Sequence, residues 1–213
     1  LPISTARDVS IISRVVLDNE KYKAYSKIWL DEYIHPSGRK TELVNTNKLI
    51  RSYDNCVAGK TGTTDKAGYC FTCLADNDGF KTVCVTLGAK TTQNRFEIAK
   101  ELFLEGYSNF KYVKLYNKGD YYNDIKINHA KDTRLKTYIA EDFWYVIARN
   151  EIIELIENVE ILNDKAPINK GETVARLALY NGESLLGYVD LISNEDINKL
   201  TYFDAFNKII SKF

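Results

Sequence analysis

Residues 69–87 constrain the fold more than any other stretch. Tyr69–Ala75 and Thr82–Leu87 alternate in character, and the Asp76-Asn77-Asp78-Gly79 segment between them is turn chemistry, so the pair predicts a hairpin and an antiparallel sheet. Val57–Thr63 lies just upstream and reads as a third strand. After Thr91, Phe96, Ala99, Leu102, Phe103 and Gly106-Tyr107 mark the apolar face of a helix from about Gln93 to Tyr107. Three antiparallel strands under a helix make an α+β arrangement, half of a larger sheet.

The remaining segments fall around this unit. A helix is predicted from about Thr5 to Leu17, with Ser4 as its N-cap, Asp8 near its positive end and Val9, Ile12, Val15 and Val16 on one apolar face. Tyr22 to Trp29 reads as a short helix or an extended segment, and His35-Pro36-Ser37-Gly38 as a turn. His35 and His129 are read as solvated side chains without partners. From Lys111 the texture changes to short alternating runs: 112–116, 121–127, 133–139, 145–148, 152–161, 173–180 and 184–191. Turns are supplied by 167–172 and by Asn181-Gly182-Glu183, which predicts a small all-β domain. In the last stretch Leu200, Phe203, Phe206, Ile210 and Phe213 recur at helical spacing. Tyr202 and Ile209 widen the stripe, and Lys199, Lys208 and Lys212 lie off it. The expected divisions are residues 1–110, 111–193 and 194–213.

Composition removes several function classes. With 29 basic and 29 acidic residues in 213, no net field argues for nucleic acid. Four cysteines are too few and too clustered for a disulfide framework. Cys70-x-x-Cys73 invites a metal reading, but residues three apart on a strand point to opposite faces and no second Cys/His pair follows, so buried small apolar side chains are expected and neither metal nor cofactor is. Neither a signal-peptide pattern nor a run of about 18 apolar residues occurs in the sequence.

The chemistry concentrates in Gly59-Lys60-Thr61-Gly62-Thr63-Thr64. Lys60 offers an ammonium, Thr61 a hydroxyl, and Gly62 bare backbone along which a ligand can lie. The N–H of Thr63 is a candidate oxyanion donor; one aimed donor of that kind contributes about 3 kcal/mol to a transition state. Together they read as an anion clamp. The stretch resembles the third active-site motif, K-T-G, of the penicillin-binding serine acyltransferases. Ser4-Thr5-Ala6-Arg7-Asp8, Gly68-Tyr69, and Leu87-Gly88-Ala89-Lys90-Thr91 with Arg95 extend the likeness to the low-molecular-weight D-alanyl-D-alanine carboxypeptidases.

That resemblance implies several things. The fold would be the later part of a β-lactamase/transpeptidase-like domain with an antiparallel sheet, then a β-sandwich-like domain and an amphipathic helix. The substrate would be a peptidoglycan stem peptide, with β-lactams binding in its place. Arg95 would seat the terminal carboxylate beside Lys60 and Thr61. Asn45 and Asn47, in an N-x-N-x-L segment, would hold loop backbone near the site, and residues 194–213 would lie on a membrane surface outside the cytoplasm. Gly59 departs from the pattern, which has a bulky apolar residue before the lysine. Ser37-Gly38-Arg39-Lys40 and Ser108-Asn109-Phe110-Lys111 fit S-x-x-K by spacing only. The first sits in a Pro/Gly turn and the second follows the K-T-G strand, and no S-x-N precedes that strand. The nucleophile is therefore expected upstream of Leu1, and these residues alone are expected to be inactive. The competing readings are a non-catalytic peptidoglycan-binding or scaffold protein and a β-lactamase.

Overall fold

The computed structural model describes residues 3–210. The chain divides into two compact units, the first reaching Lys111 and the second starting at Tyr112.

The first unit opens with α1 (Ala6–Leu17) and α2 (Glu20–Ser26), followed by the antiparallel hairpin β1 (Leu30–Ile34) and β2 (Lys40–Val44) and the single turn α3 (Leu49–Ser52). The N-cap of α1 is Thr5, not Ser4. Its Oγ1 accepts from the Asp8 N–H at 3.1 Å while the Asp8 carboxylate accepts the Thr5 N–H at 3.3 Å, a reciprocal capping box for which an acid three residues on is required. The apolar face of α1 is not the one it buries. Ile12, Val15 and Val16 are exposed, and the helix rests on the sheet through Ser13 and Leu17.

The sheet itself comprises β3 (Cys56–Thr64), β4 (Gly68–Asn77) and β5 (Phe80–Ala89) in that order, all antiparallel. Asp78 and Gly79 turn the β4–β5 hairpin with positive φ, and the Gly79 N–H donates to the Asp76 carboxylate at 2.8 Å. One face of the sheet carries Phe71, Cys73 and Ala75 against Phe96, Ala99 and Phe103 of α4 (Thr92–Asn109). The other face carries Ala58 and Leu74 against Leu17. Phe71 meets Phe96 edge to face at 5.0 Å, and Tyr53 stacks on Phe103 at 5.5 Å.

The second unit is almost entirely β. A five-stranded sheet runs in the order β10 (Leu155–Ile161), β11 (Thr173–Asn181), β12 (Ser184–Ser193), β8 (Arg134–Ile139) and β7 (Tyr121–Lys126). A separate pair joins β6 (Phe110–Tyr116) to β9 (Phe143–Ala148). Every run expected to be a strand is one. One buried cluster holds Ile139, Leu177, Leu179, Val189 and Leu191, with Tyr116, Tyr122 and Phe143 packed at its border, and a second holds Ile125, Ile127, Leu135, Ile168, Val174 and Ile197. The chain closes on α5 (Tyr202–Ile210), capped by Thr201 with Asp204 and tied by an Asp204–Lys131 ion pair at 3.3 Å. Tyr202, Phe203, Phe206 and Ile210 of its stripe face solvent, Tyr202 at 98 % exposure. Lys212 and Phe213 lie outside the described residues, as do the side chains of Lys208 and Ile209. Among the described residues no helix is long and apolar enough to cross a membrane.

Candidate functional site

The K-T-G segment occupies the outer strand of its sheet. Lys60 pairs with Thr72, Thr61 with Phe71, Gly62 with Cys70 and Thr63 with Tyr69. Because paired residues share a face and side chains alternate, Thr61 and Thr63 lie on the α4 face with Phe71, and Lys60 lies on the α1 face with Thr72. The Thr72 hydroxyl confirms that assignment by meeting the Ser13 hydroxyl of α1 at 2.9 Å.

Backbone direction follows the same alternation. At Gly59 the N–H donates outward to Ser26 Oγ at 3.1 Å, and the carbonyl accepts from Tyr22 Oη at 3.3 Å. Side chains of α2 thus occupy the place of a neighbouring strand at this residue. The N–H and C=O groups of Thr61 and Thr63, two and four residues on, are turned to the same open edge. Lys60 uses its ammonium locally, on the carbonyl of Thr61. Alongside lies a hollow of about 560 Å³ whose lining includes Tyr22, Tyr25, Asn45, Asn47, Lys60 and Thr61.

Asn45 and Asn47 build the far wall. The Asn45 amide donates to the carbonyls of Ser26 and Ile28, both at 2.9 Å, and accepts the Asn47 N–H at the same distance. Buried Asn47 accepts the Leu49 N–H at 3.1 Å. Thr46 Oγ1 meets Thr61 Oγ1 at 2.7 Å, so the threonine of the motif is held across the loop. Gly59 is required here: a Cβ would lie 2.7 Å from Asn47 Nδ2 and 3.0 Å from the Thr72 carbonyl oxygen.

Arg95, in the first turn of α4, is 5 % exposed. Thr91 Oγ1 caps that helix by accepting the Asn94 N–H at 3.0 Å. The guanidinium Nη1 lies 3.5 Å from the Gly62 carbonyl, 3.4 Å from Thr63 Oγ1 and 3.3 Å from the Cys70 carbonyl, while Phe96 and Tyr69 rings stand 4.9 and 5.8 Å from its carbon. Its Nε has no partner among the described residues, and burial pulls its pKa below the ordinary guanidinium value. The structure therefore brings Arg95 together with Gly62 and Thr63. It does not bring Arg95 into the hollow lined by Lys60 and Thr61.

Ser26, Tyr22 and Thr46 were not singled out by the sequence reading, since hydroxyls on a helix and in a loop carry no motif. His35 also departs from expectation: its Nε2 lies 2.8 Å from Thr41 Oγ1, and its ring meets Tyr33 edge to face across the β1–β2 hairpin. The four cysteines are free, and Cys56, Cys73 and Cys84 are buried as expected, whereas Cys70 is half-buried because it faces the thinly covered α1 side. No group of three or more metal-ligating side chains occurs among the described residues.

A family model described as D-alanyl-D-alanine carboxypeptidase matches residues 2–91, and one described as the C-terminal domain of penicillin-binding protein 5 matches residues 110–199. Among curated proteins the chain is similar to the D-alanyl-D-alanine carboxypeptidase DacF of Bacillus subtilis, 25% identical over 198 residues, covering 92% of this chain and 51% of that protein. DacD of Salmonella typhimurium is 26% identical over 202 residues, with 92% and 50% covered. The chain thus spans about half the length of the curated relatives it matches. Among solved structures, a peptidoglycan synthesis regulatory factor (PBP3) from Streptococcus pneumoniae superposes with a TM-score of 0.75 at 20% identity, covering 92% of this chain and 57% of that one. Penicillin-binding protein 5 from Haemophilus influenzae gives 0.65 at 22%, with 92% and 57% covered. The two family matches, the K-T-G strand and the β unit after it together support a low-molecular-weight penicillin-binding protein of the D-alanyl-D-alanine carboxypeptidase kind, with the S-x-x-K and S-x-N motifs not among these residues.

Proposed function

We propose that this chain supplies the substrate-holding side of a serine-type D-Ala-D-Ala carboxypeptidase, and that the nucleophile comes from sequence outside these residues. The observation that carries the reading is Arg95: a buried guanidinium without a carboxylate partner among the described residues, seated at Gly62 and Thr63 on an open strand edge. A buried charge is stable only when paired, and a peptide carboxylate matches guanidinium geometry. The peptide then lies along β3 as an added strand. The outward groups of Thr61 and Thr63 bond its backbone, α2 ends the pairing register at Gly59, and the Thr63 N–H faces the carbonyl under attack. Attack by a serine on the bond between the two D-alanines expels the terminal one, and water releases the shortened peptide. A β-lactam, with an amide and a carboxylate similarly placed, acylates the same serine. The exposed stripe of α5 lies on the outer face of the cytoplasmic membrane, aromatic side chains toward the acyl boundary.

The test compares two fluorescent peptides ending in D-Ala-D-Ala, one with a free C-terminus and one amidated. The free carboxylate is expected to bind at least about tenfold more tightly, because charge-assisted hydrogen bonds are lost with the amide. Equal affinities overturn the reading. The competing reading is a non-catalytic peptidoglycan binder, and labelled penicillin separates the two: the full-length protein gains a covalent adduct only if it is the enzyme. The β unit following α4 disfavours a β-lactamase.

A further inference from the structure

Three of the four cysteines form a row beneath the K-T-G strand, on the face covered by α4. Cys56 lies on β3, Cys73 on β4 and Cys84 on β5. Cys73 pairs directly with Cys84, yet its short sulfur contact is with Cys56, where Sγ–Sγ is 3.2 Å. Nothing in the proposed carboxypeptidase chemistry uses these thiols. The strand register shifts between Cys56 and Ala58, and this irregularity brings Cys56, whose Cα partner is Ala75, diagonally over Cys73. Closing the sulfurs from 3.2 Å to a bond of about 2.05 Å is a movement of roughly 1.2 Å.

We propose that Cys56 and Cys73 are an oxidisable pair whose disulfide ties the K-T-G strand to its neighbour, with a peroxide as the oxidant. The surroundings give the two sulfurs different roles. The Cys56 sulfur lies 3.2 Å from the Cys73 sulfur and accepts from Asn47 Nδ2 at 3.7 Å, and these contacts lower its pKa, whereas burial raises that of Cys73, which is 0 % exposed. Cys56 is therefore the attacking thiolate. It displaces hydroxide from hydrogen peroxide to become the sulfenic acid. The Cys73 sulfur then attacks the Cys56 sulfur, its proton leaving with the departing hydroxyl as water. Two thiols and one peroxide give one disulfide and two waters. Cys56 is 5 % exposed and Cys73 0 %, so the oxidant is a small one such as a peroxide, in preference to a bulky disulfide reagent. The consequence falls on the site: Asn47, which donates to Cys56, also lines the hollow and packs against Gly59. The pair responds to peroxide whether or not the carboxypeptidase reading holds.

The experiment uses the Cys70→Ser protein, to exclude linkage through the half-buried thiol, treated with hydrogen peroxide and examined by intact mass and non-reducing peptide mapping. A loss of about 2 Da with the Cys56 and Cys73 peptides joined is expected, since disulfide formation removes two hydrogens. Adding Cys84→Ser should leave that loss intact, and adding Cys56→Ser or Cys73→Ser should abolish it. Joining of Cys73 to Cys84, gain of oxygen atoms without linkage, or an unchanged mass in protein shown folded by circular dichroism would each overturn the proposal.

Discussion

The two units treat their polar groups in opposite ways. In the second, the buried hydroxyls of Thr137 and Ser193 are bonded, to Asn123 and to the Glu195 carbonyl, and Glu157 accepts the hydroxyls of Tyr116 and Tyr122. Burial, reinforced by that carboxylate, raises the pKa of both tyrosines. In the first, Thr86 Oγ1 and Arg95 Nε are buried without partners among the described residues, and β3 turns backbone groups to an open edge. A sheet that satisfies itself is a scaffold. One that leaves a buried cation over has something to hold, and this contrast supports the proposal that the ligand chemistry lies in the first unit.

The comparison can be broken or sharpened by substitution. The largest effect is expected from Phe103→Ala, which empties a fully buried site under the sheet and should cost about 3–5 kcal/mol in urea unfolding of the first unit. Gly59→Val comes next. Its added atoms would meet Asn47 Nδ2 and the Thr72 carbonyl, and overpacking against backbone should cost about 1–3 kcal/mol. A variant as stable as the parent would mean that the wall of the hollow yields. Thr5→Ala removes the reciprocal cap of α1 and should cost about 1 kcal/mol.

The smallest effect concerns acid. The hydrogen bond from Lys81, helped by Lys23, holds the Asp18 pKa below its ordinary 3.8. A depressed carboxylate stabilises the fold above its unfolded pKa and loses that contribution as pH falls through the folded value. Asp18→Asn should therefore be less stable than the parent at neutral pH, and the gap should close below about pH 4; at this exposure it should stay below about 1 kcal/mol. A gap that persists at pH 2 would mean the loss is steric, not electrostatic.

What the sequence made legible follows what is local. The β4–β5 hairpin, α4 and all the strands of the second unit are written in alternation and turn residues. The β1–β2 hairpin was missed because Leu30-Asp31-Glu32-Tyr33-Ile34 is exposed on both faces, so burial imposes no alternation. Ser4 and Thr5 are equivalent as cap types, and only the spacing to Asp8 decides between them. The K-T-G triplet and Arg95 were visible as residue types. What no motif encodes is the pleat, which sends Lys60 and Thr61 to opposite faces, or the polar contacts of α2 with Gly59, separated from it by more than thirty residues.

The central claim is that Arg95 is kept buried for a ligand's carboxylate and not for the fold. Arg95→Leu tests it, because replacing an under-bonded buried charge by an apolar side chain is neutral or stabilising when the charge has no structural role. The account expects an unchanged or raised melting temperature and an affinity for the free D-Ala-D-Ala peptide at least about tenfold lower, measured by fluorescence anisotropy. A stable Arg95→Leu protein that binds that peptide as the parent does would contradict it.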